Sequence, residues 1–250
     1  MRPLTQWSHE MNRLLLVAIA TIACLAATAA AAATVSKPPD IPKSYLFTPA
    51  GKLTPLHAGV SYQASTFPFA VRLTPPAAGW SGAQWKGGNE YFAGGGPPNF
   101  GWVSVGRGSP TRIPQGDVTI MAAYARTPSV ASTVKVLRTR GRGAVYEAPS
   151  PVVFGGFSGI QFDGEIVGAK NQDHNGHYFI PFSTTSHAAK YYPDEYPVYG
   201  DVFRVTVLNV RGRTVVIYID NVALPRSQFP AFLTKAEQLL KSLRFPRTGG

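Results

Sequence analysis

Two β-branched runs on either side of a glycine turn constrain the fold of this chain more than any other feature. Val202–Val210 and Thr214–Ile219 flank Arg211-Gly212-Arg213, a spacing that predicts an antiparallel hairpin. The second run contains Val215-Val216-Ile217-Tyr218-Ile219, and a near-continuous apolar run is typical of a strand covered on both faces. We therefore expect this hairpin to lie at the centre of a β-sheet.

Further strands and two helices are predicted around this hairpin. The segment 159–167 alternates, with Ile160, Phe162 and Ile166 on one face and Gln161, Asp163 and Glu165 on the other, which predicts a half-exposed strand. One helix is predicted from Thr127 as N-cap and Pro128 as its first residue to Gly141 as the C-terminal cap, and a second from Ser227 as N-cap to Leu243. The fold class predicted is α+β: an antiparallel sheet packed with at least two helices.

The distribution of proline and glycine predicts the domain organisation. The segment 34–55 is rich in proline and reads as an extended, loosely held lead-in. A single α+β domain is predicted over 56–246, because a chain of this length can bury its own core. Within it, 79–101 is rich in glycine and proline and predicts a long loop insertion.

The N-terminus has the features of a secretory signal. Arg13 precedes an uncharged run that ends in Ala31-Ala32-Ala33, and this order of charged, apolar and small residues is typical of an export signal. Cleavage after Ala33 makes 1–33 the signal peptide. Met11 is an alternative start to Met1. The domain is expected to be secreted or associated with the cell envelope.

Two alternatives to cleavage remain open. The uncharged run is long enough to serve as an uncleaved membrane anchor. Lipidation at Cys24 is the other, although Thr21 stands where a lipoprotein signal has an aliphatic residue. Cys24 is the only cysteine, so cleavage after Ala33 leaves no thiol or disulfide, and stability must come from a hydrophobic core.

The charge of the chain indicates the chemistry of its partners. The net charge is +11, and without 1–33 it is +10, from 22 basic and 12 acidic residues. Such a field attracts polyanions and anionic membrane surfaces. For an exported protein these are an anionic envelope polymer or a membrane surface, and no nucleic acid is expected. A merely solubilising charge is the alternative.

Three segments of the second half resemble a known family. They are Gly155-Gly156-Phe157-Ser158-Gly159 leading into a strand, Phe203–Val210 with its Gly212 turn, and the ending Phe229–Phe245. Together they are similar to the PsbP-like fold of LpqN-type actinobacterial exported lipoproteins, with a weaker echo at Pro68–Trp80. The resemblance implies a fold and an exported, binding-type role, and it implies no active-site residues.

Two clusters are candidate ligand sites. Asp173, His174 and His177, with His187 further on, combine imidazole and carboxylate ligands suited to zinc or copper, but polar residues are also common in turns. Arg138, Arg140 and Arg142, interleaved with glycines, could hold a phosphate or sulfate group. Their place at a helix C-terminus explains them equally well.

Catalytic patterns are weak. Asp163 and Glu165 share a strand face about 7 Å apart, a separation found in paired glycosidase carboxylates, although such pairs are usually just solvated. Ser158 lacks the second glycine of a nucleophile elbow, since Ile160 stands in its place. Six aromatics in or beside the glycine-rich insertion could stack on a sugar or cover the core: Trp80, Trp85, Tyr91, Phe92, Phe100 and Trp102.

These observations favour a non-enzymatic role. The chain is predicted to be an exported binding or accessory module that contacts an anionic envelope component or another exported protein. The alternatives are a small-ligand binder for lipid or glycan, using a cleft beside the insertion, and an uncharacterised enzyme. No cofactor is expected, and the residues specify no oligomeric state.

Overall fold

Eleven strands and two α-helices make up the part of the chain that the computed structural model describes: residues 37–43, 53–87, 100–107, 116–123, 129–140, 144–167, 202–221 and 224–247. From Pro38 onward the chain forms one compact unit. The strands are β1 (Thr54–Leu56), β2 (Tyr62–Ala64), β3 (Val71–Leu73), β4 (Trp80–Gly87), β5 (Phe100–Arg107), β6 (Asp117–Ala123), β7 (Ala144–Tyr146), β8 (Ser150–Phe154), β9 (Phe157–Ile166), β10 (Val202–Val210) and β11 (Arg213–Asp220). The α-helices are α1 (Val130–Arg140) and α2 (Phe229–Lys241), and a 3₁₀ turn, Arg226–Gln228, precedes α2.

The main sheet joins two antiparallel meanders. Its strand order is β1-β4-β5-β6-β11-β10-β9-β7, and β8 pairs with the remaining length of β9. Strands β4 to β6 form one meander, β9 to β11 form the other, and the pairing of β6 with β11 connects them. The predicted antiparallel sheet is confirmed, and the hairpin of β10 and β11 lies near its centre.

The two helices are associated with separate apolar clusters on opposite faces of the sheet, because successive side chains of a strand point to opposite sides. On the α1 face, Val134 and Leu137 belong to a cluster with strand residues Met121, Phe162, Ile166, Phe203, Val205, Val207, Val216 and Tyr218. On the α2 face, Phe232, Ala236, Leu239 and Leu240 belong to a larger cluster with Trp80, Val118, Ile120, Leu208, Val210, Val215, Ile217 and Ile219. Strand β11 is therefore buried on both faces, as its apolar run predicts.

Two tight turns close hairpins at the same end of the sheet. Arg211 and Gly212 have φ of 54° and 79°, and Gly155 and Gly156 have φ of 57° and 83°. Consecutive positive φ values are those of the two-residue turn that matches the twist of antiparallel strands. The glycines of the 155–159 motif thus serve a turn.

Both helices begin later than the sequence pattern predicts. Helix α1 starts at Val130, where the Ser129 hydroxyl accepts a hydrogen bond from the Ser132 N–H at 3.2 Å. Thr127 and Pro128 lie outside the described residues. Ser227 lies in the 3₁₀ turn and α2 starts at Phe229, because Pro230, which has no N–H, occupies the first turn where none is needed.

The proline-rich lead-in is held against the domain along 39–43. The Ile41 N–H donates to Gln63 O at 2.8 Å, and the Gln84 N–H donates to Pro42 O at 3.0 Å. Ile41 is only 1% exposed, and the buried Gln84 amide donates to its carbonyl at 2.5 Å. Within 37–43 the lead-in is therefore not loosely held: its extended backbone has free N–H and C=O groups, and Gln63 and Gln84 bind them.

The ends of the glycine-rich stretch 79–101 form strands rather than loop. Trp80–Gly87 pairs with Phe100–Arg107, with Trp85 opposite Trp102. Trp80 is buried, with its ring centroid 6.2 Å from that of Phe232, so its role is to cover the core. Residues 88–99, with Tyr91 and Phe92, lie outside the described residues.

Candidate functional site

The strand register places a group of basic residues at one end of the sheet and a pair of aspartates at the other. We call the end with the turns Gly155-Gly156 and Arg211-Gly212 the turn end. Helix α2 also finishes there, since a Cβ on Gly155 would lie 3.1 Å from the Leu243 carbonyl oxygen. At the other end, Asp117 pairs directly with Asp220.

Five basic residues belong to the turn end. Arg211 and Arg213 flank the hairpin turn, Lys241 is the last residue of α2, and Arg244 and Arg247 follow the helix. The Arg211 guanidinium donates to the Phe245 carbonyl and, at 3.0 Å, to the Pro246 carbonyl. It also lies 5.5 Å from the centroid of the Phe157 ring, a cation–π arrangement.

Arg244 caps the helix. Its Nη1 donates to the carbonyls of Lys241 and Leu243 at 2.7 and 2.8 Å, which satisfies acceptors left free where a helix ends. Within the described residues, neither Arg211, Lys241 nor Arg244 forms an ion pair with a carboxylate. These three positive charges are therefore not paired with any carboxylate of the described part of the chain.

Three carboxylates away from the turn end form ion pairs with arginines. Arg204 donates from Nε and Nη2 to the two oxygens of Asp163, both at 2.6 Å, and from Nη1 to Glu237 of α2 at 2.5 Å. Arg226 makes a similar two-point contact with Glu165. The hydrogen bond with Asp163 raises the pKa of the Arg204 guanidinium, while burial acts in the opposite direction.

Both carboxylates of the predicted pair, Asp163 and Glu165, form ion pairs with arginine. Asp163 and Glu165 do share a strand face, but each is bound by its own arginine rather than simply solvated. A charge-assisted, two-point contact is stronger and more directional than a hydrogen bond between neutral groups. The arrangement favours anchoring of α2 and its preceding turn to the sheet.

Arg138, one of the predicted anion ligands, contacts aromatic rings. Its guanidinium carbon lies 5.8 Å from the centroid of Tyr146 and 5.9 Å from that of Phe162, and its Nη2 donates to the Glu147 carbonyl at 3.3 Å. Arg138 thus joins α1 to β7 and β9. Arg140 is the last residue of α1. Arg142 lies outside the described residues.

Several other predicted sites fall outside the described residues: Asp173, His174, His177, His187, Cys24 and Ala33. Within the described ranges, no three histidine, cysteine or acidic side chains are placed to hold a metal ion. Ser158 lies within β9 opposite Val153, not at a strand-to-helix turn. No helix in this part of the chain has the length and apolar character needed to cross a membrane.

The basic turn end was not recognised in the sequence. Arg211 and Arg213 read as turn residues, and Lys241 as the solvent side of a helix. The signal that could have found them is the absence of acidic residues from 239–250 and from 204–219. Only the fold shows that these two segments meet, through the hydrogen bonds from Arg211 to the Phe245 and Pro246 carbonyls.

Comparisons with known proteins give distant structural likenesses. No protein-family model matches the chain, and no curated protein matches it by sequence. A solution structure of cyanobacterial PsbP from Synechocystis superposes with a TM-score of 0.41 at 9% identity, covering 79% of this chain and 95% of that one. A crystal structure of a Pseudomonas aeruginosa protein of unknown function superposes with a TM-score of 0.35 at 10% identity, covering 80% of this chain and all of the other.

Proposed function

We propose that this protein is an exported, non-enzymatic binding module that contacts an anionic component of the cell envelope through its turn end. The observation that carries the proposal is the group of basic residues at that end, of which Arg211, Lys241 and Arg244 have no carboxylate partner among the described residues. A patch of one sign attracts the opposite charge and orients the approaching partner.

Among the described residues, Arg211, Lys241 and Arg244 form no ion pair with a carboxylate, and all three are exposed. Arg204 and Arg226, by contrast, pair with carboxylates away from the turn end. Arg211 and Arg244 are also held by backbone carbonyls, which reduces the side-chain entropy lost on binding. Exposed basic side chains held in place suit recognition of a polyanion.

Retention on isolated envelope tests the proposal. We expect Lys241→Glu with Arg247→Glu to reduce the retained fraction, and raising the salt to about 1 M, where the Debye length is about 3 Å, to release the unmodified protein. Lys135→Glu with Lys235→Glu is the matched control, since it changes the net charge equally on exposed helix positions away from the turn end. Equal losses in both variants, or retention that salt does not change, would contradict a localised site.

Export and family membership are parts of the same proposal. Cleavage after Ala33, lipidation at Cys24 and retention as an anchor differ in mass, so the intact mass of the protein recovered from cells distinguishes them. Membership of the LpqN-type group with a PsbP-like fold stays a prediction from the sequence. The small-ligand alternative also stays a prediction, and a thermal-shift screen tests it, because a ligand that binds only the folded state raises the Tm.

A further inference from the structure

We infer that the anionic partner of the turn end is a lipid bilayer, bound through both its headgroup charge and its apolar interface. This inference rests on the proposed function and adds to it the class of partner. It is carried by a second feature of the turn end, an exposed apolar side chain on the β8–β9 hairpin.

That side chain is Val153 of β8. It is 67% exposed and lies opposite Ser158, one pair away from the Gly155-Gly156 turn. Its neighbours Val152 and Phe154 pack against the α2-face cluster, so Val153 projects from the other side of the strand. The hairpin tip thus carries a large apolar side chain that the core does not use.

The apolar and basic features lie on adjoining tips. Phe157 is the first residue after the turn that follows β8, and the Arg211 guanidinium stacks on its ring. Phe157 in turn packs edge-on against Phe245, with ring centroids 5.5 Å apart. The β8–β9 turn, the β10–β11 turn and the segment after α2 therefore meet at the turn end, where Val153 projects from the opposite face of the β8–β9 hairpin.

A bilayer can bind both the basic and the apolar side chains of the turn end, whereas a soluble polyanion can bind only the basic ones. Basic residues near an anionic leaflet each contribute binding energy, and apolar side chains gain by entering the boundary between headgroups and acyl chains. The carboxylates near the opposite end, such as Asp163 and Glu165, are kept away from the leaflet when the turn end faces it. The charge separation thus favours end-on docking.

The edge strands supply a matched control for the apolar contact. Val145 of β7 is 59% exposed, and it pairs with Glu165 towards the other end of β9. Val145 and Val153 are therefore similarly exposed valines on the same edge of the sheet, at different ends. Their replacement by serine removes the same apolar surface from two places.

Co-sedimentation with vesicles tests the inference. The protein without the predicted signal 1–33 is mixed with vesicles of phosphatidylcholine and phosphatidylglycerol, with pure phosphatidylcholine vesicles, and with soluble inorganic polyphosphate. We expect binding to the anionic vesicles, weakened about fivefold by Lys241→Gln and about fivefold by Val153→Ser. Val145→Ser should bind as the unmodified protein does, and Val153→Ser should leave polyphosphate binding unchanged.

The outcomes separate this inference from the proposed function. Binding to polyphosphate or envelope without binding to anionic vesicles overturns the lipid inference and leaves the proposed function standing. Equal effects of Val153→Ser and Val145→Ser on vesicle binding also overturn it. Absence of binding to envelope, vesicles and polyphosphate alike overturns both proposals. Unchanged thermal unfolding of the two serine variants ensures that the comparison reports on binding.

Discussion

Replacement of Arg204 by methionine should destabilise the domain by about 2 kcal/mol. The change keeps an apolar stem and removes three charge-assisted hydrogen bonds, two to Asp163 and one to Glu237. Breaking one partner of a fully buried pair costs about 3–5 kcal/mol, and an exposed pair contributes about 0–1 kcal/mol. With Arg204 17%, Asp163 29% and Glu237 43% exposed, an intermediate value applies.

Urea denaturation followed by circular dichroism measures this loss, and double-mutant cycles divide it between the two carboxylates. We expect the coupling of Arg204 with Asp163 to be about 1.5 kcal/mol, because that contact is bidentate and the carboxylate is less exposed. The coupling with Glu237 should be about 0.5 kcal/mol, as for an exposed single-point contact. Asp163→Asn and Glu237→Gln supply the two cycles.

Arg226→Met is the control, since its two-point contact with Glu165 involves an arginine that is 60% exposed. It should destabilise by less than about 1 kcal/mol. If Arg204→Met has no larger effect than Arg226→Met, or if the coupling to Glu237 exceeds that to Asp163, burial does not determine the strength of these pairs and the reasoning fails.

Four further substitutions test the packing. Gly159→Ala should lower the free energy of unfolding by about 3 kcal/mol, because its Cβ would lie 2.2 Å from the Val207 carbonyl oxygen. Gly156→Ala, at φ +83° with open space around it, should lower it by about 1–2 kcal/mol. Equal Tm shifts of the two variants would contradict this. Ile41→Ala should cost about 3 kcal/mol in urea denaturation, and no loss would mean that the segment is not part of the core. Arg138→Ala should lower stability by about 1–2 kcal/mol with unchanged envelope retention; lost retention at full stability would restore its role as an anion ligand.

Strand and helix identity follow from the sequence where one apolar pattern dominates. The run 215–219 specifies a strand buried on both faces, and the spacing of Phe229, Phe232, Ala236 and Leu240 specifies the buried face of α2. Helix starts are less predictable, because serine and threonine at neighbouring positions compete as caps. Ser129, rather than Thr127, caps α1.

Polar contacts between distant segments could not be predicted. Gln84 reads as an ordinary polar residue in a glycine-rich stretch, yet its buried amide binds Ile41 and its side-chain oxygen accepts from the Thr66 N–H at 3.0 Å. Such a contact depends on the path of the chain rather than on local periodicity. The same applies to the candidate site: Arg211 and Arg244 become neighbours only through the fold.

The pairing of β6 with β11 also determines when the fold can form. Strand β6 (Asp117–Ala123) pairs with β11 (Arg213–Asp220). The two halves of the sheet therefore cannot join until β11 has been synthesised. Closing so long a loop slows folding, because the chain loses conformational entropy before the two strands form stabilising contacts. Helix α2, which shields much of the larger cluster, comes later still. The larger cluster of a nascent chain therefore stays partly open until both β11 and α2 have been synthesised.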